Sequence, residues 1–190
     1  MAILNPSLTA ESEKNRWATT WECFRDARHL YGRRFAVDVC AEPATAKVKQ
    51  FIVSPQWADA NPTLPVLKGQ KIIGIDALEC HWPADWWCNP PFEFKREFVA
   101  MARVNQRAGR PGMMLLPYSP IAAWWQDLLA EDVLIYEPKG RYSFYKVDGE
   151  TLQGSANFDS VLVAFPTQKI GPAPRIPFSR GIHAIAAAAE

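Results

Sequence analysis

Trp86-Trp87-Cys88-Asn89-Pro90-Pro91-Phe92 is the stretch on which the reading of this chain turns. An apolar run stops abruptly at an asparagine, two prolines and an aromatic. Each proline fixes φ near −65° and gives up its N–H, so a strand arriving here must end. The first proline also holds Asn89 extended. The result is a stiff strand-to-loop corner that offers the Asn89 side-chain oxygen, a carbonyl oxygen from the Asn89–Pro90 region with no local N–H to bind it, and the flat face of Phe92. Such a corner can accept two hydrogen bonds from an exocyclic amine while a ring lies against Phe92. Asn-Pro is also a common turn dipeptide, and a loop that merely closes a core strand satisfies the same local pattern.

The flanking chain extends the pattern in both directions. Behind the corner, Glu93 to Arg107 fits a helix with Phe94, Phe98, Met101 and Ala102 on one face and Gly109 at its end. Ahead of it, Lys71–Asp76 and Arg34–Cys40 read as strands, and each carries an aspartate at or near its C-terminal end, Asp76 and Asp38. A carboxylate inside an apolar run is costly unless it is hydrogen-bonded. Further strands are expected over 113–117, 133–136, 141–147 and 158–165, with a turn at Asp148-Gly149. Helices are expected from Thr20, a candidate cap, to Gly32, and from Ser119-Pro120 to about Ala130. Residues 44–51 fit a short helix or a strand.

This alternation predicts one α/β domain with a mostly parallel sheet and an antiparallel edge strand. In such sheets ligands bind beyond the carboxyl ends of the strands. Asp38, Asp76 and Asn89-Pro90-Pro91-Phe92 all fall at predicted strand C-termini. The domain is expected over residues 16–166, with a flexible arm at 1–15, a proline-bearing inserted loop at 54–69 and a tail at 167–190.

Composition narrows the function classes. Of 190 residues 48% are apolar and 12% aromatic, enough for a substantial core. No apolar run approaches the roughly 18–20 residues that span a bilayer, and no signal-peptide segment is legible, so neither membrane insertion nor export is expected. Cysteines 23, 40, 80 and 88 form no CxxC pair and only three histidines are present, so no metal site is expected and the thiols are expected to be reduced. The dinucleotide fingerprint GxGxxG is absent. Net charge is +1, which leaves nucleic acid open as a partner through local clusters. One is Arg25, Arg28, His29, Arg33 and Arg34; another is Lys95, Arg96, Arg103, Arg107 and Arg110. Nothing in the sequence specifies an oligomeric state.

Asn89-Pro90-Pro91-Phe92 has the form of the (Asn/Asp/Ser)-Pro-Pro-aromatic motif of amino-methyltransferases. Around it stand Trp17-x-Thr19, Phe35-x-x-Asp38-x-x-Ala41-Glu42 and Asp76-Ala77-Leu78. Downstream come Leu116-Pro117, Trp124-Trp125, Gly140-Arg141-x-x-Phe144 and Ser160–Phe165. This ordered set resembles the phage-type (Dam-like) DNA adenine-N6 methyltransferases over residues 17–165. The resemblance implies a seven-stranded Rossmann-like class I methyltransferase sheet, S-adenosylmethionine as cofactor, DNA as partner and, for a phage-type enzyme, action in the cytoplasm of a bacterial host. It implies that Asn89 and the Pro90 carbonyl hold the N6 amine of a flipped adenine, with Pro91 stiffening the corner and Phe92 stacking on the base. Trp17, Thr19, Asp38, Ala41, Asp76, Ala77 and Leu78 would bind the cofactor, and Lys95, Arg96, Arg103 and Arg141 the DNA; Arg141 could equally pair with an acid of the site. The chain departs from the family at Thr20, where a proline is usual, and at Phe92, where tyrosine is usual. Motifs of this form also serve cytosine N4 or RNA adenine, and an inactive DNA-binding or anti-restriction module could keep the same fold.

Overall fold

The computed structural model describes residues 17–153 and 158–187; the arm expected over 1–15 lies outside them. Strand β1 (Ala18–Thr19) leads into helix α1 (Trp21–Tyr31), followed by β2 (Val37–Asp38), β3 (Gln50–Val53), α2 (Pro55–Ala60), β4 (Lys71–Ile75) and β5 (Trp86–Cys88). Then come α3 (Lys95–Arg107), β6 (Gly112–Pro117), α4 (Ala123–Leu129), β7 (Leu134–Lys139), β8 (Phe144–Tyr145), β9 (Ser160–Phe165), β10 (Arg175–Ser179) and α5 (Ile182–Ala187).

Eight strands form one sheet in the order β10-β7-β9-β6-β5-β2-β3-β4, and β1 pairs separately with β8. Every neighbouring pair in the large sheet is parallel except those made by β9, which runs antiparallel to both β6 and β7. The expected antiparallel edge is therefore corrected: the antiparallel strand lies inside the sheet. All six residues of β9 are buried, and its continuous apolar run suits a strand covered on both faces. The sheet also has eight strands where seven were expected. The additional one, β10, comes from the stretch expected as a tail and pairs in parallel with β7.

Alternation along the central strands divides two cores. Trp86, Cys88, Met114, Leu116, Val161, Val163 and Phe165 face α3 and α4 with Phe98, Val99, Trp125 and Leu129. Trp87, Met113, Leu115, Leu162 and Ala164 face the other way, against Cys23, Phe24 and Ala27 of α1 and Phe178 of β10. Helices thus cover both faces, and the period of two in the strands is what allows it. Gly112 opposes Trp86 across the β5–β6 pair; a Cβ there would lie 2.0 Å from the indole ring, so only glycine admits this tryptophan.

Several boundaries move. The helix expected from Ser119-Pro120 begins at Ala123, because Ser119–Ala122 closes a turn of its own through an Ala122 N–H bond to the Ser119 carbonyl. The stretch 54–69 is not wholly loop: Ser54 caps α2 by accepting from the Trp57 N–H, and Pro55 occupies the first turn. Thr20 stands at the N-cap of α1 but makes no side-chain cap bond, and its buried hydroxyl has no partner among the described residues.

Candidate functional site

Strands β2, β3 and β5 end at the same edge of the sheet, and there a cleft of about 610 Å³ opens. Its walls come from four places. The 17–19 segment gives Trp17, Ala18 and Thr19; the end of β2 and the turn after it give Asp38, Cys40, Ala41 and Glu42; α2 and its C-cap give Gln56, Trp57 and Asn61; the corner after β5 gives Asn89, Pro91 and Phe94. A volume of this size lies within the range of cofactor sites. The lining includes Asp38, Glu42 and Glu93 and, among the described residues, no lysine, arginine or histidine.

Asp38 is the chemical centre of this wall. It is 2% exposed, and its carboxylate accepts from the Cys40 N–H (3.4 Å) and the Lys47 N–H (3.1 Å). Burial raises its pKa to about 7, against the lowering effect of those two bonds and of the Lys47 charge. The Lys47 ammonium itself lies 4.7 Å from the Trp21 ring centre and 5.5 Å from that of Tyr145, clasping the β1–β8 pair to the turn that bears Asp38. Gly149 presses on this turn as well: a Cβ at that position would meet the Ala44 carbonyl oxygen at 2.1 Å.

A second, much smaller pocket of about 30 Å³ lies beside the cleft, lined among others by Trp17, Asn89, Pro90, Phe92, Leu116, Pro117 and Phe158. Trp17 and Asn89 belong to both linings, so they form the partition between the two spaces. The Asn89 side-chain amide donates to the Trp17 carbonyl (3.0 Å), which fixes its orientation and leaves Oδ1 as the group available to accept. Phe92 is 40% exposed. Phe158 lies against it with ring centres 5.2 Å apart, and the Lys95 ammonium sits 4.7 Å over its ring while donating to its carbonyl.

The structure brings Trp17, Thr19, Asp38, Ala41, Asn89 and Pro91 to the cleft, and Pro90, Phe92 and Lys95 to the small pocket. Asp76, Ala77 and Leu78 do not line either space. Asp76 stands at the end of β4 in a left-handed conformation (φ 62°), accepting from the Leu78 N–H, while the Ala77 carbonyl accepts the Trp82 indole N–H. Arg96 is exposed in the first turn of α3. Arg103 lies farther along that helix and donates to Gln106 (2.6 Å), next to the Asp132 carbonyl that precedes β7, at the sheet edge opposite the cleft. Arg141 pairs with Asp159 at 2.6 Å, the acid-pairing alternative of the sequence reading.

Sequence reasoning passed over Trp57, Gln56 and Asn61, although Ser54-Pro55 directly after an apolar run is a helix-start signal that would have placed α2 at the sheet's binding edge. Phe158 was equally missed; only its place just ahead of β9 marks it.

No family model matches this chain. Among curated proteins, the chain is similar to a DNA N-6-adenine-methyltransferase of Haemophilus phage HP1, at 24% identity over 166 residues that cover 86% of this chain and 85% of that protein. This similarity, over most of both chains, supports the resemblance drawn from the motif set.

Proposed function

We propose that this protein transfers a methyl group from S-adenosylmethionine to the N6 amine of adenine in DNA, on a Rossmann-like class I methyltransferase fold. The observation that carries this reading is the position of Asn89 in the partition between an acidic cleft of cofactor size and an aromatic pocket. The strand order supports the fold assignment: the switch point lies between β2 and β5, and the candidate residues stand there.

The cleft fits a sulfonium cofactor in volume, and Asp38 gives its wall a carboxyl group. Asp38, held by two backbone amides, offers its carboxylate to the cation, while Trp17, Thr19, Ala41 and Trp57 surround the remainder. When bound, S-adenosylmethionine supplies an already activated methyl group. The protein's task is then alignment. Asn89 Oδ1 and the Pro90 carbonyl accept the two N6 protons of the adenine, drawing its nitrogen lone pair toward the donor. A base inside a duplex cannot reach this corner and must be extruded. Phe92 receives it by stacking, worth about 1–3 kcal/mol. A 30 Å³ pocket holds about one water, so Phe158 or the Lys95 side chain must leave the Phe92 ring before a purine can occupy it. Lys95, which lines the small pocket, and Arg96, the next residue of α3, then meet phosphates.

The test is transfer of labelled methyl from S-adenosylmethionine to unmethylated DNA, followed by nucleoside analysis. Label in N6-methyladenine is expected. Label in 4-methylcytosine, in RNA alone, or in no nucleic acid contradicts the assignment.

A further inference from the structure

We propose that Ile121 is the wedge that enters the DNA stack beside the extruded base; this rests on the base-extruding reading above. Ile121 is 89% exposed, whereas the next most exposed large apolar side chain among the described residues, Leu152, is 62% exposed. A lone exposed isoleucine needs no explanation by itself. Its setting supplies one. The residue occupies the third position of the Ser119–Ala122 turn, closed by the 3.0 Å Ala122 N–H bond to the Ser119 carbonyl and stiffened by Pro120 at the second position. The turn leaves the C-terminal end of β6, whose residues Leu115–Pro117 line the small pocket. Parallel pairing of β5 with β6 puts it at the same sheet edge as the Asn89 corner.

The turn is braced on both flanks. The Gln126 amide donates to the Pro120 carbonyl (3.4 Å), and Tyr118 meets Trp125 edge-on at 5.6 Å. Trp124 reaches back toward the pocket: the Lys95 ammonium lies 5.9 Å from its ring centre and 4.7 Å from that of Phe92. A rigid projecting tip is thereby tied by a short chain of contacts to the ring on which the base would stack. Extrusion of a base leaves a gap in the stack, and apolar side chains, isoleucine included, are the ones that architectural proteins insert between base steps. A turn whose backbone is already fixed can do this with little ordering cost.

Single-stranded DNA has no stack to open, so the wedge serves only duplex substrate. The experiment compares methyl transfer by the wild-type protein and by Ile121→Ser on native and on heat-denatured unmethylated DNA. The ratio of duplex to single-strand transfer is expected to fall about tenfold in Ile121→Ser, and Ile121→Leu should restore most of it. Activity on denatured DNA reports that the variant is folded. An unchanged ratio, or equal losses on both substrates, overturns the wedge. A wild-type protein that labels neither substrate removes the methyltransferase reading, and the wedge falls with it.

Discussion

At the scale of single residues, burial and charge conflict at Asp38, and the conflict has a measurable sign. Its pKa in the folded protein is about 7, above the 3.8 of an ordinary aspartate. Between those values the folded chain keeps a proton there that the unfolded chain has lost, so ligand-free stability falls as pH rises from about 4 to about 7. A cationic ligand in the cleft favours the ionised form, so S-adenosylmethionine should bind more tightly as pH rises through 7. Thermal unfolding and calorimetric titration at pH 6 and pH 8 check both trends, and Asp38→Asn should flatten them. A wild-type affinity independent of pH would contradict this role. Asp38 was legible in the sequence because a carboxylate in the run Phe35–Cys40 demands partners. Its partners were not, since they are the backbone amides of Cys40 and Lys47, which carry no side-chain signature. The Asn89–Phe92 corner was legible for the opposite reason: two prolines dictate the backbone whatever surrounds them.

Among the elements, the C-terminal segment shows how far sequence patterns reach. Pro174 and Pro177 disguise β10, yet an edge strand tolerates a proline whose missing N–H faces away from its single partner. What fixes this segment is the buried Asp26 of α1. Its carboxylate accepts from Tyr142 (2.7 Å), from the Gly181 N–H (2.8 Å) and from the His183 N–H (3.3 Å), and the His183 ring nitrogen lies 2.6 Å away. Arg180 adds a pair of bonds to Glu22 and one to the Arg141 carbonyl. No sequence period links Asp26 and Glu22 to partners 116 to 158 positions away, so this cluster was invisible before the structure. It matters to the site because Tyr142 leads into β8, which holds β1 and with it Thr19. Burial alone would raise the Asp26 pKa, but the bonds from His183, Tyr142 and the amides outweigh it and hold it below the ordinary value. The stabilisation is therefore present at neutral pH and lost as pH falls through the acid range. Asp26→Asn leaves donors facing an amide and should lower Tm at pH 7 by about 5–10 °C, from roughly 2–3 kcal/mol spread over a chain of this size. The difference from wild type should shrink in acid. A Tm at pH 7 equal to wild type would exclude the cluster as a structural clamp.

For the whole molecule, charge is arranged rather than abundant. Acids line the cleft, while Lys95 and Arg96 open α3 just after the Asn89–Phe92 corner, so under the proposed function a net charge of +1 still permits DNA binding. Affinity for DNA should fall with salt, and the Lys95→Ala, Arg96→Ala double variant should make the slope of log K against log salt shallower by about 2, near 0.9 per lost phosphate contact. Filter binding between about 50 and 200 mM salt measures it; an unaltered slope would take the start of α3 off the DNA. Fold class and the sheet edge that carries the cleft were readable from alternating strands and helices. The insertion of β9 between β6 and β7 was not, because strand order is set by crossovers, which local patterns do not encode. The proposed transfer requires Asn89 to stand between methyl donor and acceptor base. The most direct measurement is single-turnover methyl transfer to unmethylated DNA by Asn89→Ala, with S-adenosylmethionine binding followed in parallel. Transfer is expected to be abolished while cofactor affinity and Tm stay close to wild type; transfer at the wild-type rate would contradict the role proposed for Asn89.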